Sequence, residues 1–197
     1  MSGSPPFSCD LVANARLHVL FLRAVHMSNV SLRQPSAESI RRYNSLWLPL
    51  VAASAPGDAE LIPPIDVAWL WHCHRLAPAR YAEHMRKKFG CAPIGPATPF
   101  ERHGRSTSLK DLPNVSSTLA LWADEYPDEP FFIDNDIAAP ASSLEKMEQG
   151  TSRGTLHGFD VIDSATRQAT FLWQISTPLY SDPDFLRNAV INYYRFL

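Results

Sequence analysis

Apolar residues recur along this chain at helical spacing. From Asp10 to about Val25, Leu17, Leu20, Phe21 and Ala24 share one face, and Asp10 stands where an N-cap acceptor belongs. Pro35-Ser36-Ala37-Glu38 opens a second helix whose stripe is Ile40, Tyr43, Leu46, Trp47 and Leu50. Pro49 falls inside that stripe and predicts a kink or an end there. A third helix lies between Pro63-Pro64 and Pro78, and a fourth runs from Pro78 to Phe89, closed by Gly90. Residues 91–111 have no period and read as a loop. Leu119, Trp122 and Tyr126 align on a helix from Pro113 to Tyr126, which Pro127-Asp128-Glu129-Pro130 stops; Phe131-Phe132-Ile133 is a short apolar anchor. Residues 135–158 carry few large apolar side chains and read as a linker.

The end of the chain repeats its beginning. At a shift of 150 positions Asp10 falls on Asp160, Ala15 on Ala165, Phe21 on Phe171, Leu22 on Leu172, Ser31 on Ser181 and Tyr43 on Tyr193, mostly at core positions. The pattern predicts a mainly α fold built by internal duplication: a first helical module over 9–134, a linker over 135–158, and the first two helices of a second copy over 159–197. That copy is expected to be truncated, because the counterpart of the third helix would lie beyond Leu197. A helix pair without its third partner exposes an apolar face and predicts self-association or a protein partner.

Composition narrows the class. Hydrophobic residues make up 45% and charged residues 19%, which marks a globular chain. Net charge is −2, so nothing global attracts nucleic acid or an anionic membrane. No apolar run reaches the roughly 18 residues of a membrane span, and the N-terminus lacks the layout of a signal peptide. Cys9, Cys73 and Cys91 are an odd set without a CxxC pair, pointing to reduced thiols in a cytoplasmic or nuclear protein. Arg86-Lys87-Lys88 is the one basic run that offers a face to RNA; no RNA-binding motif accompanies it.

The candidate chemistry sits in the third helix, Ile65-Asp66-Val67-Ala68-Trp69-Leu70-Trp71-His72-Cys73-His74. Asp66, His72 and His74 are metal-ligand types suited to zinc or iron. On a helix, however, two residues span about 200°, so His72 and His74 leave opposite sides. The helical reading therefore favours histidines buried neutral with one partner each, and Asp66 as a first-turn charge. A pocket for a ligand or partner lined by Trp71, His74, Arg80 and Tyr81 is the alternative. Cys73 lies between the two histidines but forms no dyad with either, and no nucleophile elbow or phosphate loop occurs.

Taken in order, Arg42-Tyr43, Leu46-Trp47-Leu48-Pro49-Leu50, Pro63-Pro64-Ile65-Asp66 through Trp71-His72-Cys73-His74-Arg75-Leu76, Arg80-Tyr81, Trp122 with Tyr126-Pro127-Asp128-Glu129-Pro130-Phe131, and Arg167 through Ser176 resemble the glycine-rich domain-containing protein-like family of plants, fungi and other eukaryotes. The resemblance covers most of residues 9–197. It implies a second tryptophan–histidine motif and, in full-length plant members, a glycine-rich C-terminal region; this chain has eight glycines. It also implies association with growth and stress responses, and for some members a proposed RNA-binding role. It supplies no catalytic residues. The expected function is a non-catalytic intracellular interaction or scaffold module.

Overall fold

The computed structural model describes residues 9–28, 30–54, 61–93, 115–133, 155–156, 158–175 and 177–196. Within them the chain is mainly helical. Helix α1 (Leu11–Met27) begins where Asp10 accepts from the backbone N–H groups of Val12 and Ala13 at 2.9 and 3.0 Å. Helix α2 (Ala37–Arg42) begins at Ser36, which accepts from Ser39 N–H. Both starts follow the capping rule that an Asp or Ser oxygen satisfies the first orphan amides.

The helix does not end at Pro49, one of the two outcomes expected from its ring. The helical path continues from α2 through one π turn (Tyr43–Trp47) into α3 (Leu48–Ala53), and the Leu48 N–H bonds back to the Tyr43 carbonyl. Proline supplies no N–H and crowds the carbonyl four residues earlier. A widened turn just before it accommodates that mismatch while the helix continues.

Helix α4 (Ile65–Arg75) is the centre of the molecule: residues 66–74 are buried without interruption. It is hydrophobic on every side because it is covered on every side. One face, with Val67, Leu70 and Trp71, packs with Tyr43, Trp47, Leu48, Met85, Trp122 and Phe131. The other, with Ala68, Trp69 and Cys73, packs with Phe21, Leu22 and Val25 of α1 and Ala165. Trp69 and Trp71 thus serve two cores, and both are buried.

Helix α5 (Pro78–Phe89) turns back from α4 and stops at Gly90, whose φ of 68° is the left-handed cap that glycine adopts without strain. Helix α6 (Val115–Glu125) delivers Trp122 to the first core. Strands β1 (Thr155–Leu156) and β2 (Phe159–Asp160) pair antiparallel, Leu156 opposite Phe159, across Gly158 at φ 81°. Leu156 and Phe159 are buried in the first core, although β1 lies in the stretch whose composition reads as linker. Helix α7 (Val161–Gln174) is capped by Asp160, which accepts from Asp163 N–H at 2.9 Å. It lies on α4 through small residues, with Ser164 donating to the Cys73 carbonyl at 3.4 Å. A short 3₁₀ turn (Pro178–Ser181) leads to α8 (Pro183–Phe196), which runs beside α1. Residues 55–60, most of the loop read over 91–111, and residues 135–154 of the linker lie outside the described residues.

Candidate functional site

The two histidines of α4 diverge, as their spacing requires. His72 faces α1, where its ring meets those of His18 at 5.0 Å and Phe21 at 5.4 Å, with Trp69 of its own helix at 5.8 Å. His74 faces the first core. Its Nδ1 shares a 2.8 Å hydrogen bond with the Tyr43 hydroxyl, and its ring stacks on Phe159 at 4.5 Å with an interplanar angle of 13°. Tyr81 at 5.0 Å and His84 at 5.2 Å complete the aromatic surround. Each α4 histidine therefore meets a second histidine, His18 on one side and His84 on the other.

The electrostatics follow from this packing. Burial pushes His72 down to about 3, and the neighbouring His18 and Arg75 push the same way. Burial also pushes His74 down to about 3, helped by His84. Burial lowers His18 as well, and raises both the Tyr43 hydroxyl and the Cys73 thiol well above their ordinary ranges. At neutral pH these groups are uncharged: three neutral imidazoles, a phenol and a thiol. Nothing here poises a base near neutrality or generates a thiolate.

Asp66 belongs to a different constellation. Its carboxylate lies 3.2 Å from Arg42 Nε, and both side chains are almost wholly buried. Arg42 also donates to the Pro130 carbonyl at 2.5 Å and the Phe131 carbonyl at 2.8 Å, and its guanidinium sits 5.3 Å from the Trp122 ring centroid. The clamp fastens α2, α4, α6 and the 127–133 turn to one another. Trp122 Nε1 donates to the Glu129 carbonyl at 2.8 Å, and Tyr126 donates to the Leu46 carbonyl at 2.9 Å, so the same turn is held from three directions. A buried charge pair in which each guanidinium nitrogen has an acceptor fits a group that fixes geometry.

A single ion shared by Asp66, His72 and His74 is thus corrected: the carboxylate is taken by Arg42 and the imidazoles face opposite cores. Among the described residues no three His, Cys, Asp or Glu side chains form a group able to hold a metal ion, so neither zinc nor iron finds a ligand set there. Of the residues expected to line a pocket, Trp71, His74 and Tyr81 come together in the core and Arg80 lies outside it. Trp71 Nε1 donates to the Tyr81 hydroxyl at 3.0 Å in the closed core, whereas Arg80 is exposed beside Glu83 at 3.5 Å.

Two comparisons fix the chain's relationships. The sequence pattern of the glycine-rich domain-containing protein-like family matches residues 105–197, which take in α6, the hairpin, α7 and α8. Glycine-rich domain-containing protein 1 of Arabidopsis thaliana is 33% identical over 201 residues, covering 96% of this chain and 22% of that protein. Glycine-rich domain-containing protein 2 of the same plant is 35% identical over 199 residues, covering 96% of this chain and 23% of that protein. The chain belongs to the glycine-rich domain-containing protein-like family. It spans less than a quarter of the length of these two relatives. No solved structure matches it.

Two surfaces of this family member remain. In the basic run, Lys87 pairs with Glu83 at 2.7 Å, and Lys88 Nζ donates to the backbone and amide oxygens of Asn44 at 3.0 and 2.7 Å. Two of its three cations are thus engaged within the molecule, while Arg86 stands exposed beside them. The second surface is apolar. Phe171, Trp173, Leu179, Ile191, Tyr193 and Phe196 all stand exposed on α7, the 3₁₀ turn and α8, with Trp173 at 80% and Phe196 at 83%. No residue of α8 is buried. Among the described residues no helix is long and apolar enough to cross a membrane.

Proposed function

We propose that the chain is a non-catalytic interaction module whose contact surface is the α7–α8 region. The observation that carries this reading is the clustering of large exposed apolar side chains there, while the histidines and Asp66 are consumed by packing. Leaving several aromatic and aliphatic side chains in water on neighbouring elements is unfavourable, and covering them on a partner reverses that cost. The partner is a second copy or another protein that presents a matching apolar face.

The reading keeps three segments, 9–134, 135–158 and 159–197, the last being the first two helices of a second copy. It is supported by Asp10 and Asp160, 150 positions apart, each capping the start of a helix. An intracellular site agrees with three free cysteines, one of them exposed. RNA binding through Arg86, Lys87 and Lys88 is the weaker reading, because two of the three cations already have partners.

Sedimentation velocity tests the proposal. The wild-type chain is expected to self-associate at micromolar concentration or to form a stoichiometric complex with a partner. The double variant Ile191→Ser/Phe196→Ser, altered only at exposed positions, is expected to lose that association with unchanged circular dichroism. A chain that is monomeric in both forms and binds no partner contradicts it.

A further inference from the structure

A groove of about 670 Å³ opens between the C-terminal half of α1, residues 30–33 and the end of α7. Its floor is apolar, with Leu22, Val30 and Ala169 all buried. Its rim carries Arg23, His26 and Arg33, and no Asp or Glu lines it. The walls are tied in place: Thr166 donates to the Arg33 carbonyl at 2.9 Å, and Arg23 donates to Ser181 Oγ at 3.3 Å. The volume lies within the roughly 300–1,000 Å³ typical of small-molecule sites, and an apolar interior with a few polar groups at one edge is their usual chemistry.

We propose that this groove binds a small amphiphilic anion, an apolar body carrying one acidic head. The apolar floor removes the hydrocarbon from water, and the two guanidiniums receive the head group as charge-assisted donors. Charge complementarity selects the anion: an uncharged molecule of the same shape gains only the floor, and a cationic one meets like charge at the rim. The groove shares Trp173 of α7 with the apolar surface proposed above, while its other walls, α1 and residues 30–33, lie outside that surface. Sequence periodicity does not reveal it, because its two walls are α1 and α7, about 150 residues apart in the chain.

The test uses 8-anilinonaphthalene-1-sulfonate with the whole chain. Energy transfer from tryptophan to the dye reports binding, and the variants below place it in the groove that Trp173 lines. The expected result is saturable binding of one dye per chain, displaced by decanoate and far less by decanol. Arg23→Gln/Arg33→Gln alters two exposed side chains and is expected to weaken dye and decanoate about tenfold, the loss of one charge-assisted contact or more, with an unchanged melting temperature. Ala169→Trp fills the floor and is expected to abolish dye binding; if it disturbs the melting temperature, the arginine variant alone decides. Unsaturable binding, equal displacement by decanol, or unchanged affinity in the arginine variant overturns the proposal.

Discussion

Replacing Arg42 with methionine is expected to destabilise the chain by about 3–5 kcal/mol, the cost of leaving a buried charge without its partner. For a domain whose total stability is typically about 5–15 kcal/mol, that is a large fraction. The loss has three parts. Asp66 keeps a buried carboxylate with no cation, the Pro130 and Phe131 carbonyls lose their donors, and Trp122 loses the guanidinium beside it. Arg42→Lys is expected to recover little, since one ammonium cannot reach a carboxylate and two carbonyls in the planar fork that arginine supplies. Asp66→Leu combined with Arg42→Met is expected to cost clearly less than the two single changes added together, because removing both charges leaves none stranded. Urea unfolding of the four proteins measures this. Strict additivity would mean that the pair is not coupled.

Acidification is expected to destabilise the chain well before its carboxylates titrate. His72 and His74 are held at about 3 in the folded state, against an ordinary value of 6.5. The sign follows directly. Below pH 6.5 the unfolded chain takes up protons that the folded chain refuses, so stability falls as pH falls. It is fully present above about 6.5 and keeps falling until pH reaches about 3, where the folded histidines also charge. Each group contributes a slope of about 1.4 kcal/mol per pH unit, so the two together remove about 4 kcal/mol between pH 6.5 and 5. His18, also lowered by burial, adds in the same direction. Urea midpoints at pH 7.5 and 5.0 read the effect, and His72→Asn should reduce the difference. A flat profile over that interval would mean that the imidazoles are hydrated.

The sequence-legible features were those set by local rules. Asp10, Ser36 and Gly90 mark helix ends because capping is decided within a turn. The divergence of His72 and His74 follows from helical geometry alone. What escaped the sequence depends on contacts between distant segments. His18 and His84 carry no pattern of their own; they matter because α1 and α5 bring them to opposite sides of α4. The Arg42–Asp66 pair spans 24 positions. Its only trace is an arginine lying between Ser39 and Leu46 on the apolar stripe of the second helix, a place where a charge requires a buried partner. The unbroken path through Pro49 escaped too, because the proline rule assumes a regular α turn and the chain inserts a π turn there. Leu156 and Phe159 were hidden by the low hydrophobicity of the residues before them.

The central claim is that α4 is a structural hub whose histidines face separate cores as neutral rings. Nitrogen–proton correlation spectra of imidazole-labelled protein between pH 7.5 and 4.5 test it most directly. The account predicts that His72 and His74 each hold a single neutral tautomer throughout the folded range, with His74 coupled to the Tyr43 hydroxyl, and that added zinc shifts neither. Titration of either ring near pH 6.5, or simultaneous perturbation of both by one equivalent of zinc, would contradict it.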